Sequence, residues 1–167
     1  LIKNRSGSRK PLRQELARFA APRLPAGKTA KARAAMPRIL LVEDNMINQR
    51  VAQKMLDRFQ VQAEIANNGL EALQFVKLRH FDLILMDMQM PVMDGLEATR
   101  AIRGLAHTQQ PLILAMTANA SRTDQQACMA AGMDDFLTKP IRLEVLRDSL
   151  VRWLLNPKVN APTKLPG

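Results

Sequence analysis

Tyrosine is absent from the sequence, and cysteine, histidine and tryptophan are nearly so: the 167 residues include one Cys, two His and one Trp. The single cysteine, Cys128, excludes an intrachain disulfide framework and fits a reducing compartment. Because only His80 and His107 accompany it, a metal site built from clustered Cys and His side chains is excluded as well. No apolar run approaches the roughly 18 residues of a membrane span, so these residues are not predicted to cross a bilayer.

Acidic residues are scarce only at the start of the chain. The formal net charge is +10, which by itself would suggest a protein that binds nucleic acid or an anionic membrane. However, residues 1–38 hold 11 basic side chains and a single acid, Glu15, whereas residues 39–167 hold 14 of each sign. The basic excess therefore belongs to a leading segment, and the rest of the chain is balanced in charge.

Proline-containing segments at both ends are predicted to lie outside the main domain. Residues 1–36 are predicted to be a basic linker rich in Pro and Ala. It contains one short amphipathic stretch that could form a helix and dock, with apolar residues at helical spacing: Leu12, Leu16 and Phe19. Residues 156–167 are predicted to be a flexible tail, which leaves residues 37–155 as the domain. Since the first residue is not Met and no signal segment follows, we expect a piece of a longer protein.

Between these ends, short apolar runs alternate with amphipathic stretches. The runs predicted as strands are 39–42, 61–66, 82–86, 112–116 and 136–138. The predicted helices cover 46–59, 69–79, 94–103 and 121–131, with a last helix marked by Leu143, Leu146, Leu150 and Trp153. Five βα units predict an α/β fold, a doubly wound five-stranded parallel sheet with helices on both faces.

Polar side chains follow four of the five predicted strands: Glu43 and Asp44, Asp87, Thr117, and Lys139. Doubly wound sheets bind ligands at the carboxyl ends of their strands, so these side chains are expected to lie together. Two carboxylates 4 Å apart repel each other by on the order of 4 kcal/mol at an effective dielectric near 20. An all-oxygen site of this kind suits Mg²⁺ (or Mn²⁺). With Thr117 as a hydrogen-bond donor and Lys139 as a cation, the set predicts an aspartate that attacks phosphorus.

Each of these residues also has an ordinary structural interpretation. Glu43 and Asp44 could cap the helix that begins near residue 46. Asp87 and Thr117 could be turn residues, and Lys139 could be a solvated charge. Complementary chemistry at four strand ends nevertheless favours a functional site.

Four segments of residues 38–155 resemble the receiver domain of response regulators in two-component signalling. They occur in the family's order and at its spacing: LVEDN at 41–45, LMDMQMPVMDG at 85–95, MTA at 116–118 and TKP at 138–140. The resemblance implies a flavodoxin-like (βα)₅ fold. It also implies a phosphorelay domain that accepts a phosphoryl group from phosphohistidine.

The resemblance further implies a role for each site residue. Asp87 would be the phosphoacceptor. Mg²⁺ (or Mn²⁺) would be bound by Asp44, by Glu43 directly or through water, by Asp87, and by the backbone carbonyl of Gln89. Lys139 would pair with the phosphoryl group.

The conformational switch of the family would use Thr117 and Phe136. Thr117 would hydrogen-bond the phosphoryl group, and Phe136 would turn inward behind it. Because Phe136 lacks the hydroxyl often found at its position, its predicted role is packing. Gln89 and Asn119 match the positions that tune dephosphorylation.

Segments 44–49 and 93–100 resemble the receivers of hybrid sensor histidine kinases more than those of stand-alone regulators. This implies that the partners are a histidine kinase core, a histidine phosphotransfer domain, or both. The expected location is cytoplasmic. The alternative is that the domain is the cytoplasmic portion of a membrane-anchored parent protein, such as an inner-membrane sensor kinase. The receiver would catalyse its own phosphorylation and dephosphorylation, and its parent would be a histidine kinase.

Two other interpretations fit parts of the sequence. A haloacid-dehalogenase-type phosphatase also forms an aspartyl phosphate, but it needs a second Asp two residues later, where this chain has Gln89. Alternatively, a stand-alone or degenerate receiver could serve as an interaction scaffold whose leader, residues 1–36, binds nucleic acid or membrane. That leader offers a single aromatic, Phe19, for base stacking. No nucleic-acid binding is predicted for the receiver itself.

Overall fold

The computed structural model describes residues 12–19, 36–106 and 109–155. The strands are β1 Ile39–Val42, β2 Ala63–Ala66, β3 Leu83–Asp87, β4 Leu112–Thr117 and β5 Asp135–Thr138. The helices are α1 Leu12–Phe19, α2 Met46–Arg58, α3 Gly69–Leu78, α4 Gly95–Arg103, α5 Arg122–Ala131 and α6 Leu143–Leu150. A π-helical turn, Val151–Leu155, extends α6.

The strands form one parallel sheet in the order β2-β1-β3-β4-β5. The strand order reverses between β1 and β3, which is where open α/β sheets form a ligand-binding crevice beyond the carboxyl ends of their strands. Val42 pairs with Met86, and Thr117 pairs with Thr138, so the strands end nearly level with one another. The predicted doubly wound five-stranded parallel sheet is confirmed.

The sheet is buried on both faces. Every residue of β1 and β3 is buried, because helices cover both sides of these central strands. Alternate residues of one strand enter opposite layers, so Leu41 and Leu85 pack toward α2 and α6, and Leu40 and Ile84 pack toward α3, α4 and α5. The two apolar layers bury the central strands β1 and β3, whose polar side chains therefore lie at the strand ends.

Most helices begin where the sequence predicts. Ser121 caps α5 by accepting the backbone N–H of Asp124, and α5 ends at Gly132, whose φ of 97° is left-handed. Two boundaries differ from prediction by more than one residue. Strand β2 starts at Ala63 and not at Val61, because the end of α2 continues through Gln60 at φ 58° and the N–H of Val61 donates to the carbonyl of Leu56.

The end of the last helix also differs from prediction. Trp153, predicted to extend an apolar helical stripe, lies in the π-helical turn, and its indole N–H donates to Asp135 Oδ2 at 2.8 Å. The backbone N–H of Phe136 donates to the other oxygen, Asp135 Oδ1, at 2.8 Å. The turn is therefore connected to the start of β5 by polar contacts.

Helix α1 coincides with the amphipathic stretch of the leader. Leu12 and Leu16 are buried in the same apolar cluster as Leu150 and Leu155. The remainder of the leader, residue His107 and the tail lie outside the described residues, so the division at residues 36 and 155 stays a prediction. Among the described residues, no helix combines the length and hydrophobicity that a bilayer span requires.

Candidate functional site

Three carboxylates meet at the carboxyl edge of the sheet. Glu43 follows β1, Asp44 comes next, and Asp87 is the last residue of β3. One carboxylate oxygen from each of them lies within 4.8 Å of the others. Glu43 and Asp87 are buried, whereas Asp44 is exposed, so the acidic cluster opens to solvent on one side.

Lys139 connects two of the three carboxylates. Its Nζ lies 2.8 Å from Glu43 Oε2 and 3.0 Å from Asp87 Oδ2. The lysine follows β5, and its backbone N–H donates to the carbonyl of Thr117 at 2.7 Å, which fixes the loop against β4. The sheet thus brings a single ammonium group between carboxylates from two other strands.

The carboxylates that share Lys139 differ in their proton affinity. Burial alone would raise the pKa of Glu43, but hydrogen bonds from Lys139, Asn48 and the backbone of Asn45 outweigh it and leave that pKa below its ordinary value. Burial raises the pKa of Asp87, since its hydrogen bonds from Lys139 and the backbone of Gln89 only partly compensate and the charge of Glu43 adds repulsion.

The ammonium group responds in the opposite sense to burial. Burial would lower the pKa of Lys139, but its hydrogen bonds to Glu43 and Asp87 and the charges of those carboxylates raise that pKa above its ordinary value. At neutral pH the site therefore holds a protonated lysine.

The loop after β3 supports Asp87 from the other side. The backbone N–H of Gln89 donates to Asp87 Oδ1 at 3.2 Å. Gly95, the first residue of α4, approaches so closely that a Cβ atom there would lie 2.3 Å from the carbonyl oxygen of Asp87. Only glycine fits between the helix and the strand end, a requirement that sequence reasoning missed.

Thr117 and Asn119 interact with each other after β4. The Thr117 hydroxyl donates to the Asn119 carbonyl at 2.7 Å and accepts the Asn119 N–H at 3.1 Å. Phe136 on β5 is half-buried and packs against the apolar layer beneath α3, α4 and α5. The side chains of Gln89 and Asn119 are exposed. Of the predicted site residues, the structure gathers Glu43, Asp44, Asp87 and Lys139 most tightly.

The interpretation of Glu43 and Asp44 as helix caps is wrong, because Asn45 is the N-cap of α2 and accepts the N–H groups of Ile47 and Asn48. Sequence reasoning also missed two amides of that helix. Asn48 Nδ2 donates to Glu43 Oε1 at 3.1 Å, and Gln49 Nε2 donates to the Glu43 carbonyl at 2.6 Å.

The donor set fits a small divalent cation. All side-chain donors of the cluster are carboxylate oxygens, which suit Mg²⁺ and Mn²⁺. Three carboxylates against the one ammonium of Lys139 leave an excess of negative charge. The exposed side at Asp44 gives access for an ion that keeps several of its waters.

The sequence profile of the response regulator receiver domain family matches residues 39–151. This chain belongs to that family. Among curated relatives, the receiver is 41% identical over 120 residues to hybrid signal transduction histidine kinase K of Dictyostelium discoideum, covering 68% of this chain and 10% of that protein. It is 40% identical over 144 residues to histidine kinase 5 of Arabidopsis thaliana, covering 71% of this chain and 16% of that protein. The chain thus spans a small part of the relatives it matches.

Solved receiver structures agree with this assignment. The receiver domain of a sensor histidine kinase from Pseudomonas aeruginosa PAO1, with a magnesium ion in its active-site cleft, superposes with a TM-score of 0.67 at 40% identity, covering 72% of this chain and 98% of that one. A second match is the receiver domain of Ssk1 from Saccharomyces cerevisiae, crystallised with the histidine phosphotransfer protein Ypd1. It superposes with a TM-score of 0.66 at 30% identity, covering 77% of this chain and 94% of that one. The predicted family is confirmed: this is a receiver domain of two-component phosphorelay signalling.

Proposed function

We propose that Asp87 of this receiver accepts a phosphoryl group from phosphohistidine in a reaction that depends on Mg²⁺. The observation that carries the proposal is the joint approach of Glu43, Asp44 and Asp87 with Lys139 at the switch point of the sheet. Asp87 is a suitable nucleophile because it ends β3 at the acidic cluster and receives fewer hydrogen bonds than Glu43.

The transfer exchanges one bond to phosphorus for another. An oxygen of Asp87 bonds to phosphorus while the bond between phosphorus and the histidine nitrogen breaks. The electron pair of that bond stays on the imidazole nitrogen, which takes up a proton. Lys139 pairs with the phosphoryl oxygens, since its Nζ already lies 3.0 Å from Asp87 Oδ2.

Glu43, Asp44, Asp87 and the backbone carbonyl of Gln89 would hold the metal ion. A bound Mg²⁺ supplies positive charge that shields the carboxylate and the phosphoryl oxygens from each other. The excess negative charge of the cluster supports this role. Mn²⁺ would substitute, because it also prefers oxygen ligands.

Phosphorylation would change the contacts of Thr117. Its hydroxyl would leave the Asn119 carbonyl and donate to a phosphoryl oxygen, and Phe136 would move inward behind it. The half-buried position of Phe136 supports this switch. Gln89 and Asn119, both exposed, would control access of water to the aspartyl phosphate. The addition of beryllofluoride with Mg²⁺ is expected to shift the NMR signals of Thr117 and Phe136; unchanged signals would contradict the switch.

We infer that the phosphodonor is a histidine kinase core or a histidine phosphotransfer domain, and that the parent protein is a hybrid sensor histidine kinase in the cytoplasm. The similarity to the hybrid kinases supports this context. Exposed apolar side chains at the start of α2, beside the acidic cluster, suit contact with a partner: Met46, Ile47 and Val51.

A small phosphodonor such as acetyl phosphate tests the nucleophile. With Mg²⁺ present, intact-mass measurement is expected to show one added phosphoryl group on the wild-type chain and none on Asp87→Asn. Asp82→Asn, which changes an aspartate at the opposite end of the same strand, is the matched control and should be labelled normally. Full labelling of Asp87→Asn would overturn the assignment.

A further inference from the structure

The two oxygens of the Glu43 carboxylate have different partners. Oε1 accepts the backbone N–H of Asn45 at 3.2 Å and the side-chain amide of Asn48 at 3.1 Å, both from the start of α2. Among the described residues, Oε2 accepts a hydrogen bond only from Lys139, at 2.8 Å, on the side where Asp87 lies. Oε1 is therefore hydrogen-bonded to the start of α2, and Oε2 faces the acidic cluster.

The start of α2 differs from that of the other helices. Of the six α-helices described, α2 alone has no acidic residue in its first turn. In the three other helices with a side-chain N-cap bond, the third helical position is acidic: Glu71, Glu97 and Asp124. An acid there is favoured by the helix dipole and by the capping box. In α2 the third position is Asn48.

Helix α4 shows what the usual arrangement looks like. The carboxylate of Glu97 accepts the N–H of its own cap residue, Asp94, at 3.2 Å. In α2 the N–H of the cap residue goes to Glu43 instead, and Asn48 donates to the same oxygen. An acid in place of Asn48 would bring a fourth carboxylate against Glu43. Asn48 thus lacks the favourable interaction that an acidic side chain has with the helix N-terminus. Its amide instead donates a hydrogen bond to the acidic cluster.

A neighbouring amide restrains the main chain of Glu43. Gln49 Nε2 donates to the Glu43 carbonyl at 2.6 Å and to Asn67 Oδ1 at 2.9 Å, and so connects the end of β1 to the segment after β2. With the backbone held by Gln49, the orientation of the carboxylate depends on the contacts of Oε1 with α2 and on the contact of Oε2 with Lys139.

We propose that Asn48 is a positioning residue of the metal site, which fixes the Glu43 carboxylate so that Oε2 is presented to the cation. The inference rests on the proposed function, because it assumes that the cluster binds Mg²⁺. Without the amide, the carboxylate would rotate more freely and would have to be ordered when the ion binds. Loss of a group that orients a metal ligand typically weakens binding about 10- to 100-fold, and we expect about tenfold because the Asn45 N–H remains.

Binding of Mn²⁺ to the full chain without phosphodonor tests the inference. The loss of the free-ion EPR signal on titration gives the dissociation constant directly. We expect Asn48→Ala and the nearly isosteric Asn48→Leu to raise that constant about tenfold. Gln53→Ala, which removes an amide from the same helix away from Glu43, is the matched control and should bind like the wild-type chain. Because Asn48 is exposed, thermal melting of the metal-free variants should stay close to that of the wild-type chain.

The outcomes separate the inference from the proposed function. Wild-type affinity in both Asn48 variants would overturn the positioning role and leave the metal site intact. Weakened binding in Gln53→Ala to the same degree would also overturn it, since the effect would then belong to the helix as a whole. A wild-type chain that binds no Mn²⁺ would overturn the metal site and this inference together.

Discussion

At the scale of single residues, the number of hydrogen-bond donors distinguishes the two buried carboxylates. Glu43 receives three donors and has a lowered pKa, whereas Asp87 receives two and has a raised pKa. A carboxylate oxygen that accepts fewer hydrogen bonds has more of its lone-pair density available to form a bond to phosphorus. The ligand role proposed for Glu43 and the nucleophile role proposed for Asp87 thus correspond to a difference in local structure between chemically similar side chains.

Lys139 is expected to stabilise the protein most when no metal is bound, because it is then the cation between Glu43 and Asp87. Lys139→Met should lower the free energy of unfolding by about 2 kcal/mol in urea with a chelator, since two buried carboxylates lose their counter-charge. Saturating Mg²⁺ should reduce the difference. Lys54→Met, an exposed lysine on α2, should change stability by less than about 0.5 kcal/mol. Equal stability of the Lys139 variant and the wild-type chain in chelator would contradict this role.

The sequence predicts the site residues unevenly. Glu43, Asp87 and Lys139 could be identified because strand ends in a parallel sheet converge, and a linear pattern locates strand ends well. Asn48 and Gln49 could not, because amides near a helix start look like ordinary capping residues. Their role depends on which way the Glu43 carboxylate points, and side-chain orientation across a loop leaves no periodic signal in the sequence.

At the scale of secondary-structure elements, the start of α4 is restricted by its contact with β3. In Gly95→Ala the new Cβ would lie 2.3 Å from the Asp87 carbonyl oxygen and 3.0 Å from the Cα of Met88, so the helix must move. We expect a loss of about 3 kcal/mol in the free energy of unfolding, at the upper end for overpacking. Because Asp87 itself would shift, phosphoryl labelling should fall as well.

Gly104, the C-cap residue of the same helix, provides the control. Its backbone is helical at φ −73°, and an added Cβ would meet only ordinary contacts at 3.5 Å. Gly104→Ala should be neutral or stabilise the protein by about 0.5 kcal/mol. Urea denaturation of both variants checks the contrast, and similar losses in the two would indicate a general effect of the helix.

The other end of α4 is fixed by Arg103. Its guanidinium donates to the carbonyls of Gly132 and Pro111 and pairs with Asp134 at 2.9 Å. Burial lowers the pKa of Arg103 and raises that of Asp134. Burying this ion pair therefore has a desolvation cost, and the complete set of hydrogen bonds offsets that cost.

Arg103→Lys should therefore destabilise the protein although it keeps the charge. A lysine cannot reproduce the planar set of donors, so carbonyls would be left unpaired, and we expect a loss of about 2 kcal/mol in urea denaturation. Arg100→Lys, an exposed residue on the same helix, should stay within about 0.5 kcal/mol of the wild-type chain. A Lys variant at residue 103 that is as stable as the wild-type chain would show that the charge alone matters.

At the scale of the whole molecule, the described structure extends beyond the region that matches the family. The family match covers residues 39–151, whereas α1 and the end of the π-helical turn lie outside it. These two elements contact each other through Leu12, Leu16 and Leu155 in one apolar cluster, and Glu15 pairs with Arg147 at 3.5 Å. The leader helix thus completes a part of the core.

Leu16→Ala should show how firmly α1 is attached. Truncation of a leucine that is 2% exposed typically lowers the free energy of unfolding by about 2–5 kcal/mol. We expect about 2 kcal/mol, because the loss cannot exceed the free energy with which α1 docks. Gln14→Ala, on the exposed side of the helix, should have little effect. If urea denaturation shows no difference between the two variants, α1 does not stabilise the receiver.

The sequence predicts the architecture better than the limits of the folded unit. Alternating apolar runs and amphipathic stretches indicate the five strands and their helices directly, because each element's periodicity is local. The position of α1 is different. Two turns of amphipathic helix are marginal alone, and their partner, the turn at Val151–Leu155, is far away in the sequence.

The contact between Trp153 and Asp135 has an optical consequence. Trp153 is the only indole in a chain without tyrosine, so the near-ultraviolet emission of the protein comes from one chromophore. Its N–H is bonded to a carboxylate that also accepts the backbone N–H of Phe136. Changes at β5 will therefore alter the surroundings of this fluorophore without any dye being attached. The fluorescence of Trp153 therefore reports on β5, the strand that carries the proposed switch residue Phe136.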